Sequence, residues 1–193
     1  MGQELSPLRQ MIEAYVPVCT QEARDREIML QFLDDHDDCL CRTCMTGHFT
    51  ASAWIVNPGR NKVLMIYHNI YDSWAWTGGH ADGDPDLLTV ALREAEEETG
   101  VTDFRLICRE PVSLEILTVD GHMKKGVYVP SHLHMNLTFM LEAEESGALR
   151  IKADENSGVA WIETEDVSRR VSEAWMNKWI YSKLEKRYEH EEN

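Results

Sequence analysis

Three carboxylates, Glu94, Glu97 and Glu98, fall in the run ALREAEEETG at spacings of three and four residues. On a helix those spacings share one face, where like charges repel by roughly a few tenths of a kcal/mol per pair. A solvated acidic surface is the ordinary meaning of such a run. A row of carboxylates converging on a hard divalent cation also explains the crowding, because Mg2+ and Mn2+ take oxygen ligands and bind through carboxylates together with substrate phosphates. That second arrangement handles phosphate.

Such a row needs a helix at the rim of a sheet. Asp84 reads as its N-cap and Pro85 as its first helical residue, where a missing N–H costs nothing. Leu87, Leu88, Ala91, Leu92 and Ala95 form one apolar stripe beside the acidic row, Glu96 points away from it, and Gly100 suits the helix end. Before the helix, FTASAWIVNPGRNKVLMIYH holds two β-like runs around Asn57-Pro58-Gly59, the chemistry of a hairpin turn. Trp74, Trp76 and the Gly78-Gly79 pair then lead into the helix. After it, FRLICREPVSLEILTVDG and YVPSHLHMNLTFMLEA read as two longer strands joined by a loop at 121–126. In the second strand Leu133, Met135, Leu137, Phe139 and Leu141 face one way, and His132, His134, Asn136 and Thr138 the other. VAWIE is a further strand.

Residues 4–45 read as helical, interrupted at Pro17, and the C-terminal stretch as one or two closing helices with a charged tail. The organisation expected is an N-terminal helical extension (1–45), an α/β domain (46–165) and a C-terminal helix (166–193) packed on that domain. The chain has 193 residues, 43% hydrophobic and 27% charged, a balance suited to one folded domain. With 34 acidic against 19 basic residues the formal net charge is −15, which argues against binding duplex nucleic acid or an anionic membrane. No basic leader with an apolar core opens the chain and no long apolar run occurs, so the expected setting is the cytoplasm. The five cysteines do not suggest a disulfide framework. Cys39, Cys41 and Cys44 lie between His36 and His48 and could form a zinc site, though reduced cysteines more often serve as small hydrophobes.

Gly79 followed by Arg93-Glu94-Ala95-Glu96-Glu97-Glu98-Thr99-Gly100-Val101 resembles the Nudix box, with every fixed letter in place except the first glutamate, which is Pro85. The resemblance implies a Nudix-like α/β/α sandwich with a mixed β-sheet over 48–165, making 46–165 a catalytic domain. It also implies hydrolysis of a nucleoside diphosphate linked to another moiety, with Mg2+ or Mn2+ as cofactor. Glu94, Glu97, Glu98 and the Gly78 or Gly79 carbonyl would be metal ligands, and Arg93 would orient the glutamate row. At the missing glutamate, Asp84 or Asp86 would have to support the loop.

The base that takes the proton from water is Glu98 by analogy with some family members. Glu155 and His134 are the other candidates, the latter because histidine titrates near neutrality. Tyr71, Trp74 and Trp76 could stack on a base, although aromatics beside a short strand are more often core. Lys124 and Lys125 could grip phosphate from their loop, although a solvated hairpin tip explains them equally; His80 and Asn136 could contact substrate, and His80 and Asp82 lie close enough to the metals to matter, although hydrogen bonding within the loop explains them as well. The small-molecule partner would be a nucleoside diphosphate derivative, and the N-terminal helical pair could cover the site, cap the sheet or exchange across a homodimer. A rival reading is a non-hydrolysing nucleotide sensor of the same kind, which would not need the full carboxylate row. An isomerase acting on an allylic diphosphate also occurs on this fold, but no Cys and Glu pair marks one here.

Overall fold

The structure is a computed structural model and describes residues 5–124 and 126–187. Its centre is a mixed sheet. Strand β1 (Gly47–Val56) turns at Asn57-Pro58-Gly59 into β2 (Lys62–His68), followed by the short β3 (Ser73–Ala75) and β4 (Thr77–His80). Asn57 locks the turn, its side-chain oxygen accepting from the Asn61 and Lys62 N–H groups at 3.0 Å each. After the helix α3 (Leu87–Thr99) come β5 (Arg105–Leu106), β6 (Ser113–Val119), a small hairpin of β7 (His122–Lys124) and β8 (Val127–Val129), the long β9 (His132–Glu142), and β10 (Asn156–Glu163). The main path runs β10-β2-β1-β9-β5, with β3 on β2, β4 on β1 and β6 on β9. Only β1 and β9 are parallel among these pairs, in register from Gly47 opposite Leu133 to Val56 opposite Glu142.

Every residue of β1 is buried because both faces of the sheet are covered. On one side Phe49, Ala51, Ala53 and Ile55 join Met135, Leu137, Phe139 and Leu141 beneath α3 and the N-terminal helices α1 (Ser6–Ala14) and α2 (Thr20–Asp35). On the other, Trp54, Val56, Val63, Met65 and Trp76 pack under α4 (Val167–Arg170), α5 (Ala174–Met176) and α6 (Ser182–Arg187). The expected α/β/α sandwich is therefore the fold. Among the described residues no helix is long and apolar enough to cross a membrane.

The strand expected over 104–121 is broken. Regular pairing with β9 covers Arg105–Leu106 and Ser113–Val119; Ile107 and Val112 still donate to the Met140 and Thr138 carbonyls, and Pro111, with no N–H to give, lies in the irregular segment between them. The helical reading of 4–45 holds only to Asp35, since turns fill the segment before Gly47. The closing helix is likewise a series of short pieces, with Ser172 between them donating its N–H to the Ser73 hydroxyl at 3.0 Å. The tail beyond residue 187, Lys125 and the first four residues lie outside the described residues.

Both ends of the chain meet in one buried group. Glu22 of α2 is fully buried, and its carboxylate takes Lys183 Nζ at 2.8 Å and Arg187 Nη2 at 3.4 Å. Lys183 also lies 3.7 Å from the buried Glu115 of β6, and Arg187 donates to the Tyr15 hydroxyl at 2.6 Å.

Candidate functional site: a carboxylate row beside a histidine group

Strand β4 delivers Gly78 and Gly79 against the inner face of α3. A Cβ at Gly79 would stand 2.4 Å from Glu94 Cδ, so only glycine lets that carboxylate lie along the backbone. The Gly78 N–H donates to Glu98 Oε2 at 2.9 Å. Burial, reinforced by the charges of Glu155 and Glu94, pushes the Glu98 carboxyl up to about 8 against the pull of that N–H. Glu94 is also held above the ordinary carboxylate range, by burial first and by Glu97.

A lysine ammonium sits in this group. Lys152 Nζ is 2.7 Å from Glu97, 2.8 Å from Glu155 and 3.9 Å from Glu94. Burial opposes its charge, yet hydrogen bonds to Glu155 and Glu97 raise its pKa. The loop carrying Lys152 and Glu155 is tied to the end of α3 by Arg150 N–H on the Thr99 carbonyl at 2.7 Å and by Asn156 Nδ2 on the Glu98 carbonyl at 3.0 Å. Gly100, with φ of 77°, makes the turn that permits this return.

The helix start differs from the expected one. Asp86, not Asp84, is the N-cap of α3, accepting from the Thr89 N–H at 3.2 Å, and Pro85 precedes the cap. Asp84 is freed for other contacts, accepting from the Asp86 N–H at 3.0 Å and lying 3.9 Å from Arg93. The two aspartates beside Pro85 thus divide the work of holding the loop. Arg93 also reaches Glu94 at 3.5 Å. Asp82 accepts from Arg42 Nε and Nη2 at 2.7 Å each, which ties the loop to the N-terminal extension.

A cleft of about 350 Å³ opens from the glycines and Glu98. Thr50, Ser52 and Asn136 form its polar floor, His80 and His134 stand on one side, and Tyr71, Trp76, Trp175 and Met176 form an apolar end. Asn136 is fixed, its oxygen accepting from the Thr50 and Ser52 hydroxyls at 2.9 and 3.0 Å while its nitrogen donates to Glu115 at 2.8 Å. Burial holds the Glu115 carboxyl above its usual range. Trp74 and Lys124 do not line the cleft: Trp74 packs edge-on against Tyr67 at 5.6 Å, and Lys124 is exposed on β7.

His80 and His134 belong to a larger group with His48 and His132, in which one ring nitrogen from each lies within 4.8 Å of the others. Burial first, and then nearby positive charge, pushes His80 down to about 3 and His134 to about 2, so both rings are neutral. The register explains the gathering. His48 is directly opposite His134 on the parallel neighbour, His132 is two residues along the same face, and His80 pairs with Thr50 across β1. The period-two pattern marked His132 and His134 as neighbours, but His48 required the strand pairing. Trp175 was also missed, because nothing local shows that α5 closes over the cleft.

Cys39 and Cys44 are core residues, and burial raises the Cys39 thiol to about 11. Among the described residues the metal-capable group is the histidine one, and Cys39, Cys41 and Cys44 are not in it.

The family model of the NUDIX domain matches residues 47–183. No curated protein matches the sequence. The fold is similar to that of a C. elegans Ap4A hydrolase in a binary complex, with TM-score 0.50 and 17% identity over 73% of this chain and 94% of that one. It is also similar to the E. coli dihydroneopterin triphosphate pyrophosphohydrolase, with TM-score 0.52 and 14% identity over 70% and 93%. A Nudix hydrolase from M. smegmatis, RenU, gives TM-score 0.51 and 16% identity over 72% and 85%. With its box helix, its glycine-backed carboxylates and a domain match spanning most of its length, the chain belongs to the NUDIX family and is a hydrolase acting on phosphoric anhydrides.

Proposed function

We propose that the chain is a Mg2+- or Mn2+-dependent pyrophosphohydrolase that cleaves a nucleoside diphosphate linked to another moiety. The observation that carries this reading is the set of carboxylates, Glu94, Glu97 and Glu155, around a single lysine ammonium. Acids that already draw in one cation, beside a buried Glu98 that would yield its proton as a cation arrives, suit a divalent ion. Glu94, Glu97, Glu98 and the Gly79 carbonyl would hold it, with Arg93 steadying the row. When bound, the ion neutralises diphosphate charge and polarises the phosphorus–oxygen bonds.

The remaining work falls to the chain. Gly78 fixes one Glu98 oxygen, and a carboxyl pushed toward neutrality is matched to taking a proton near the operating pH. Water attacks phosphorus, its proton passes to Glu98, and the anhydride P–O bond breaks to release a nucleoside monophosphate and a phosphorylated partner. Positioning and electrostatics supply most of the acceleration in such transfers. His80 offers a polar contact in the cleft, Asn136 holds the Thr50 and Ser52 hydroxyls of its floor, and Trp76, Tyr71 and Trp175 form an apolar end for a base. His134 contributes through the histidine group rather than as the base, because burial makes its ring a weak proton acceptor. Trp74 and Lys124 have no part in this reading. A cytoplasmic setting belongs to the same proposal.

The test is a substrate panel of dinucleoside polyphosphates, nucleotide sugars and nucleoside triphosphates, each with Mg2+ or Mn2+ and each with chelator. Metal-dependent release of a nucleoside monophosphate from at least one linked diphosphate is expected. A blank panel from a folded, nucleotide-binding protein would replace this reading with the sensor.

A further inference from the structure

We infer that His48, His80, His132 and His134 form a second metal site, separate from the carboxylate row, which takes a late first-row divalent ion of the Zn2+ type. The inference stands on its own geometry and does not depend on the substrate proposed above.

The ring nitrogens are arranged as ligands. His132 Nε2 lies 3.2 Å from His134 Nε2, and neighbouring nitrogens around a tetrahedral ion with Zn–N of 2.0–2.1 Å lie roughly 3.3 Å apart. All the ligand atoms fall within 4.8 Å of one another, so closing on a common centre asks each ring to move by less than about 1 Å. Ring centroids stand 4.8–5.1 Å apart for the contacting pairs, close enough to share a centre without displacing the strands.

The outer contacts set the tautomers. His132 Nδ1 is 2.8 Å from the Pro130 carbonyl and His48 Nδ1 is 3.3 Å from the Cys44 carbonyl. A carbonyl only accepts, so Nδ1 carries the proton in both rings and Nε2 presents a lone pair inward. Metal-binding histidines are oriented by this kind of contact. His48 Nε2 is buried in a ring that is only 4% exposed, and among the described residues it has no hydrogen-bond partner. A bound ion would satisfy it.

The donor set decides the class of ion. Imidazole suits Zn2+, Cu2+, Ni2+ and Fe2+, whereas Mg2+ and Ca2+ prefer oxygen. The protein therefore separates metals by chemistry: oxygen donors on α3 for a hard ion, nitrogen donors across β1, β4 and β9 for a borderline one. Because His80 and His134 also line the cleft, an ion there adds positive charge beside a site for an anionic substrate.

The test uses the full chain carrying Glu94→Gln, Glu97→Gln and Glu98→Gln, which removes the competing oxygen site. Zn2+ titration by calorimetry should find one equivalent per chain, insensitive to excess Mg2+, and Co2+ should give the intense visible absorption of a nitrogen-rich tetrahedral site. His132→Asn should weaken Zn2+ binding at least tenfold, the scale on which loss of a ligand or its support acts. In wild-type protein the Nε2 resonances of His48 and His132 should shift on adding Zn2+, a readout that survives any folding defect in the variants. No Zn2+ binding in the carboxylate variant, binding indifferent to His132→Asn, or unmoved histidine resonances would each overturn the assignment.

Discussion

The carboxylate row on α3 and the histidine group across β1, β4 and β9 lie on either side of the Gly78-Gly79 backbone, and the fold assembles them in opposite ways. The acids come from adjacent helical turns, so their spacing in the chain is their spacing in space. They repel one another, and Lys152, Gly78 N–H and burial contain that repulsion. The histidines come from three strands, span residues 48 to 134 and converge only when β1 pairs in parallel with β9. Burial keeps His80 and His134 neutral, so those rings crowd one another rather than repelling by charge. A site built on one helix can be strained electrostatically and still hold its geometry, whereas a site built across strands depends on register.

That contrast can be broken most severely at the acids. Glu98→Gln and Glu97→Gln are each expected to lower kcat by about 10²- to 10⁴-fold with an unchanged circular dichroism spectrum. Near-normal turnover in both would remove the row from the chemistry. Next comes Gly79→Ala, whose new methyl would displace the Glu94 carboxylate; roughly 10²-fold loss is expected, the scale of a 1 Å misplacement. Activity within a factor of two would show that Glu94 adapts freely.

A smaller effect separates strain from geometry. Burial pushes the Glu98 carboxyl up to about 8 in the folded chain, against about 4.3 in the unfolded one. The folded state therefore binds the extra proton between those values, and stability is expected to fall as pH rises through that window. Mg2+ should restore the loss, and Glu98→Gln should flatten the slope of Tm against pH. A slope unchanged by Glu98→Gln would place the titration elsewhere. The smallest effect is at the helix start: Asp86→Ala removes the N-cap of α3 and should cost about 1 kcal/mol, read as a Tm lower by about 2–4 °C. If Asp84→Ala were the more costly change, the cap would have been misassigned.

Much of the acidic side was legible in the sequence, because helical periodicity is local. Leu87, Leu88, Ala91, Leu92 and Ala95 read as one face, and all but the half-buried Leu92 are buried together; Gly100 reads as the stop and adopts the left-handed turn. The start of the helix was read two residues early, since Asp84 and Asp86 are equally good caps by type and Pro85 fits either register. The strand predicted over 104–121 failed at Pro111 for a reason visible in the sequence, but its weight against the surrounding β-formers was not. Lys152 and Trp175 could not be found at all. Their roles depend on a loop returning to α3 and on α5 crossing the cleft, and neither leaves a periodic trace.

Glu22, Lys183, Glu115 and Arg187 give the two ends of the chain a shared fate. The stretch matched as a NUDIX domain begins at residue 47, so it contains Lys183 and Glu115 but leaves out Glu22. A chain shortened to that stretch would lose Glu22, the nearer of the two carboxylates beside Lys183, together with the packing of α1 and α2 on the sheet. Breaking a buried pair on one side typically costs about 3–5 kcal/mol, a large share of the stability of an ordinary domain. The helical extension is then a missing piece of the core rather than an accessory, and Asn136, held by Glu115 at the floor of the cleft, would register its removal.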